Sequence, residues 1–193
     1  HFHRLIETMR KTVQVLLSLV MLAAAIWIVI DSQKIADTGT GNGAAILWDN
    51  EFETFVSSLS VHCESDMEKV TVYREWIIEN ISYDYDCETL FYQTFDVETV
   101  LQNRKGVCFD YACLFAAMCR SQGIPCYVLD GTYRTDKTFR HAWNRVYADG
   151  QWWSVDATRD RNAREDGSGE MGFVPIGPDP KAEDKYFIVH RTF

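Results

Sequence analysis

A thiol, an imidazole and a carboxylate stand in the order Cys108, His141 and Asp156. These are the three groups a cysteine nucleophile needs. The thiol must be held as a negative sulfur. The imidazole must move a proton, and its ordinary pKa near ~6.5 suits that task. The carboxylate fixes the ring tautomer and supports its charge. From Cys108, the residues Ala112, Phe115, Ala116 and Cys119 recur at a helical period. Gly123 and Pro125 then stop the helix. Cys108 is thus expected in a first helical turn, where orphan N–H groups and the positive end of the macrodipole favour an anion.

The other two residues are brought together by a hairpin. Segments 141–148 and 151–157 flank Asp149-Gly150, a two-residue turn signal. With 148 opposite 151, Trp143 falls opposite Asp156. His141, two residues from Trp143, shares its sheet face. His141 and Asp156 become diagonal neighbours, with Cα atoms roughly 7–8 Å apart. A three-residue loop would reverse the parity and separate them.

These motifs, taken with Gly106-Val107 before the cysteine, Asp110 and Ala112 after it, Gly123-Ile124-Pro125, His141-Ala142-Trp143, Trp152 and Asp156-Ala157-Thr158, resemble the bacterial transglutaminase-like superfamily. The resemblance covers about residues 65–160. It implies a papain-like α+β fold, with a cysteine helix packed on an antiparallel sheet and Cys108, His141 and Asp156 as the triad. Ala157 stands where members commonly carry Pro. Nothing matches the calcium sites or extra β-domains of the animal enzymes, so no cofactor or metal is expected. As the family motif's acid, Asp110 is expected to brace the loop before the helix.

The implied chemistry is attack of Cys108 on a protein or peptide amide through a thioester, resolved by water or by an amine. The backbone N–H of Cys108 is the natural first oxyanion donor. Gln102, Tyr83 and Tyr85 are alternatives for the second. Trp143 and Trp152 either shape a cleft or pack as core. A non-catalytic binding or scaffolding domain is the competing reading. A thiol redox protein is disfavoured by the absence of a C-x-x-C pattern. His62-Cys63 lacks matching partners for a metal site. Among the remaining cysteines, Cys63–Cys87 is one conceivable pair, whereas Cys113, Cys119 and Cys126 read as buried thiols; no obligatory disulfide is expected.

The positioning elements are legible around this core. Phe52, Phe55, Val56 and Leu59 mark one amphipathic helix. Ser65 and Glu68 form a capping-box pattern for a second, with Val70, Tyr73, Ile77 and Ile81 on its apolar face. The stretch 81–94 reads as irregular. Asp96 is expected to cap a short helix carrying Val97, Val100 and Leu101. Strands are expected at 127–133 and 186–189, and a polar loop over 159–184 with part of it bordering the cleft.

The chain has 193 residues, 47% of them hydrophobic, with a net charge of −9. That balance argues against disorder and against nucleic acid as a partner. Residues 12–30 carry no charge, and nineteen helical residues rise roughly 28 Å, enough to span a bilayer core. Arg4, Arg10 and Lys11 precede them, so the N-terminus is expected in the cytoplasm and the chain beyond Asp31 outside it. A cleaved signal peptide or a buried core helix are the alternatives. The expected organisation is a flank at 1–11, a transmembrane or signal-anchor helix at 12–30, a Gly/Thr-rich linker at 31–45 and a transglutaminase-like catalytic domain at 46–193. The expected partners are a protein or peptide substrate and the membrane; the sequence sets no oligomeric state.

Overall fold

The computed structural model describes residues 45–87 and 94–192, with positions 7, 12–14, 18 and 21 besides. The chain divides into two units, His1–Ala36 and Asp37–Phe193, and every element below belongs to the second. The expected span at 12–30 and linker at 31–45 lie outside the described residues, apart from helical positions 12–14, 18 and 21 and the terminal Ala45. No helix among the described residues is long and apolar enough to cross a membrane.

Two helices form where the apolar spacing predicts them. In α1 (Asn50–Leu59), the Asp49 side chain caps the first turn by accepting the Phe52 N–H at 2.8 Å. In α2 (Asp66–Asn80), the Ser65 hydroxyl accepts the Glu68 N–H at 3.2 Å. The Glu68 carboxylate reaches back to the N–H of Glu64, one residue before the position a capping box would use. Val70, Tyr73, Ile77 and the following Ile81 are buried.

The segment expected to be irregular contains a short strand, β2 (Ser82–Tyr83). A strand β3 (Thr94–Asp96) pairs in parallel with β1 (Ala45–Leu47). Helix α3 (Val97–Asn103) follows, and then β4 (Lys105–Gly106), which pairs in parallel with β2 and sets Tyr83 beside Gly106. Helix α4 (Cys108–Ser121) is the centre of the core, buried from Cys108 through Arg120. It ends as expected, with Gly123 in the left-handed region at φ 76°.

The sheet has five strands: β5 (Cys126–Tyr133), β6 (Arg140–Ala148), β7 (Gln151–Val155), β8 (Val174–Gly177) and β9 (Phe187–Thr192). Their order is β8-β7-β6-β5-β9, and every neighbouring pair is antiparallel. The architecture is α+β, with α4 against the sheet: Asn144 of β6 donates to the Ala112 carbonyl of α4 at 2.8 Å. Asp149 (φ 49°) and Gly150 (φ 87°) both take left-handed conformations, as a two-residue hairpin loop of the primed type requires. The register is therefore the expected one, with Ala148 opposite Gln151 and Asn144 opposite Val155.

Residues 159–184 differ from expectation. They are not one long loop: helix α5 (Ala157–Asp166) and strand β8 occupy much of the stretch. Polar residues dominate α5, so no apolar stripe announces it. It is held instead by the Asp156 cap, an Arg161–Glu165 pair at 2.6 Å, and burial of little more than Ala157 and Ala163 from its apolar side chains.

Candidate active site

Cys108 is the first residue of α4 and is 2% exposed. The helix starts there because Asp110 reaches back and accepts the Val107 N–H at 2.8 Å, satisfying one orphan donor. Gly106 makes that reach available. A Cβ at position 106 would lie 2.7 Å from the Asp110 Cβ. Burial pushes the Asp110 carboxyl up to about 6, against the Val107 N–H, which lowers it. Asp110 thus braces the cysteine turn from within the helix.

His141 sits on β6, 4% exposed. Its Nε2 lies 2.6 Å from Oδ2 of Asp156. Its ring also hydrogen-bonds the Cys108 side chain. Since Nε2 is engaged by the carboxylate, Nδ1 is the nitrogen left for sulfur. Burial alone would lower the His141 pKa. The Asp156 carboxylate and the Cys108 sulfur outweigh it and raise the group to about 10. The setting therefore favours an imidazolium at neutral pH.

Asp156 is 1% exposed and serves two masters. One oxygen faces His141; the other caps α5 by accepting the Arg159 N–H at 2.9 Å. The end of the hairpin and the start of α5 thus fix the same carboxylate from both sides. The His141 ring is also walled. Tyr133 stacks on it at 5.1 Å, Phe187 at 5.8 Å and Trp143 at 6.3 Å. Trp143 is core, 1% exposed and stacked on Phe187 at 4.2 Å. Trp152 is buried against Tyr127 at 5.1 Å. Gly131 lets this wall close. A Cβ there would fall 2.0 Å from the Ile188 carbonyl oxygen and 2.7 Å from the Trp143 ring.

Tyr83 is the tyrosine that reaches the cysteine. The β2–β4 pairing brings its hydroxyl to the Cys108 backbone, where it accepts the N–H. Burial raises its pKa to about 12, so it stays a protonated donor at neutral pH. The two alternatives stand elsewhere. Tyr85 is 73% exposed. Gln102 lies exposed on α3 and donates its amide to Glu98 at 2.8 Å. No group of three or more His, Cys, Asp or Glu among the described residues could hold a metal, so His62-Cys63 is part of none. None of the six cysteines forms a disulfide.

Two neighbours were not anticipated. Tyr133 lies two residues past Gly131, which pairs with His141, so strand parity alone would have placed it on the histidine's face. Arg159 lies three residues past Asp156, but its place at the site depends on α5, which the sequence conceals.

The model of the transglutaminase-like superfamily matches residues 53–157, a span that contains Cys108, His141 and Asp156. The chain belongs to the transglutaminase-like superfamily. Among curated relatives, kyphoscoliosis peptidase of Mus musculus is 36% identical over 113 residues, 53% of this chain and 17% of the relative. The Homo sapiens protein of the same name is 34% identical over 116 residues, 55% and 18% respectively. The matched part of this chain therefore spans under a fifth of those two relatives. A solved structure of a candidate cysteine protease from Cytophaga hutchinsonii is 27% identical, with a TM-score of 0.50 over 66% of this chain and 41% of that one.

Proposed function

We propose that the protein is a transglutaminase-like cysteine enzyme acting on protein or peptide amides through a thioester. The observation that carries this reading is the buried His141 ring, 2.6 Å from Asp156 on one nitrogen and hydrogen-bonded to Cys108 besides. In the proposed reaction, the Cys108 sulfur attacks the amide carbonyl. The carbonyl oxygen becomes an oxyanion, received by the Cys108 N–H and the Tyr83 hydroxyl, which turns from accepting that N–H to donating. His141 gives its Nδ1 proton to the departing amine as the C–N bond breaks, leaving a thioester on Cys108. Water or a second amine, deprotonated by His141, then attacks the thioester and releases the sulfur. Asp156 holds Nε2–H throughout, so the proton exchanged with substrate is always the one on Nδ1.

We take residues 46–193 as the catalytic domain. The uncharged stretch 12–30 supports a single-pass anchor, with the domain outside the cytoplasm, or a secreted domain if that stretch is cleaved.

Incubation with a glutamine-donor protein, with and without a fluorescent amine, tests the reaction. Amine incorporation shows transfer, and deamidation or peptide cleavage shows hydrolysis. Neither product from the parent chain would favour a non-catalytic binding domain.

A further inference from the structure

The protein is acidic, with 28 Asp and Glu against 19 Lys and Arg, and Arg74, Arg140, Arg161 and Arg191 are each ion-paired. Arg159 and Lys185 are not ion-paired among the described residues, and both face the same ring, Tyr186. The Arg159 guanidinium lies 5.0 Å from the centre of the Tyr186 ring, and the Lys185 ammonium lies 5.0 Å from the same ring. Tyr186 contacts Phe187, which stacks on His141. From the other side, the Arg159 N–H binds the Asp156 carboxylate, and Arg159 and Cys108 both act electrostatically on Tyr133, the ring stacked on His141.

Neither cation has a carboxylate partner among the described residues; Arg159 finds only the Met171 sulfur, 3.4 Å from Nη1. The nearby acids are committed elsewhere. Asp156 serves His141 and the α5 cap. Asp160 serves Arg74 and the N–H groups of Met171 and Gly172. Asp184 serves Ser154 and the N–H groups of Tyr186 and Phe187, and Glu183 serves Arg134. Two cations mounted on a half-buried aromatic ring, with local acids withheld, form a receptor for an anion supplied from outside.

We propose that Arg159 and Lys185, carried on Tyr186, select substrates with a carboxylate beside the reacting amide, such as an Asp or Glu side chain flanking it in a peptide. The proposal rests on Cys108 being the nucleophile. It predicts that negatively charged acyl donors reach the thiol preferentially, and that salt erodes the preference.

The test needs no substrate. Cys108 is alkylated with iodoacetate, which carries a carboxylate, and in parallel with neutral iodoacetamide, and the modified residue is located by peptide mass spectrometry. The rate ratio between the reagents is compared for the parent, Arg159→Gln, Lys185→Gln and the double variant. Arg159→Gln keeps the backbone N–H that binds Asp156, and Lys185 is exposed, so both variants should fold. His141 is present in every variant, so its own pull on the iodoacetate carboxylate is common to all and cancels when their ratios are compared. The ratio is expected to fall about fivefold in the double variant at low ionic strength, and the parent's ratio to approach the variant's in high salt. An unchanged ratio, with Cys108 still labelled fast by iodoacetamide, overturns the carboxylate receptor alone. Slow labelling of Cys108 by both reagents in the parent overturns the catalytic reading and the receptor with it.

Discussion

Asp156→Asn separates the electrostatic work of the carboxylate from its structural work. Asparagine caps a helix nearly as well as aspartate, so α5 should keep its first turn. The cap also decides which way the amide points. The Arg159 N–H, 2.9 Å from one carboxylate oxygen, selects the amide oxygen for that position. The amide NH₂ is then left 2.6 Å from Nε2 of His141, where an acceptor stood. Nε2 must now accept, so the ring carries its proton on Nδ1, facing sulfur. A histidine in that tautomer cannot take a proton from the thiol. The expected loss is about 10³–10⁴-fold in kcat, roughly 4–5.5 kcal/mol of barrier, with KM changed far less. A stability signature accompanies it. His141 is raised from 6.5 to about 10 in the fold. Its contribution is fully present below about 6.5 and fades as pH rises through about 10, with an upper bound on the order of 4–5 kcal/mol. Melting temperature should therefore fall between pH 7 and 10 in the parent, and fall less in the variant. The assay is amine incorporation for kcat and KM, alongside thermal melts across pH. A variant within about tenfold of the parent's kcat, or one with the parent's full pH dependence of melting, would refute the tautomer argument.

Tyr83→Phe removes the proposed second oxyanion donor without changing the ring. It should cost about 10²–10³ in kcat and, by leaving the buried Cys108 N–H without its acceptor, about 1 kcal/mol of stability, as steady-state kinetics and a thermal scan would show. Gly131→Ala drives a methyl against the Ile188 carbonyl and the Trp143 ring. It should destabilise by about 3 kcal/mol, read by urea unfolding, as β9 is pushed off β5. Asp160→Asn removes the buried charge that pairs with Arg74 at 2.7 Å. Glu170 and Glu75 still pair with Arg74, so the loss should be about 2–3 kcal/mol in the same urea assay rather than complete unfolding.

What the sequence discloses follows from how local the causes are. The hairpin is readable because two residues, Asp149 and Gly150, fix the turn, and the turn fixes the face on which His141 lies. Helix α4 is readable because apolar period and stop signal agree over one short stretch. Tyr83 could be named but not chosen over Gln102 or Tyr85. Its place depends on a parallel pairing between two-residue strands that leave almost no pattern in the chain. Helix α5 stayed hidden because its stability comes from a cap and ion pairs rather than an apolar face. With it went Arg159 and the double engagement of Asp156. Gln102 is set aside by α3, which turns its side chain to solvent and to Glu98.

The proposed chemistry stands on one activated sulfur. Iodoacetamide labelling at neutral pH, followed cysteine by cysteine, measures it directly. Cys108 should react at least about tenfold faster than Cys113 or Cys126, and His141→Ala should abolish that advantage. Equal rates at the three cysteines, or an advantage that survives loss of the imidazole, would contradict it.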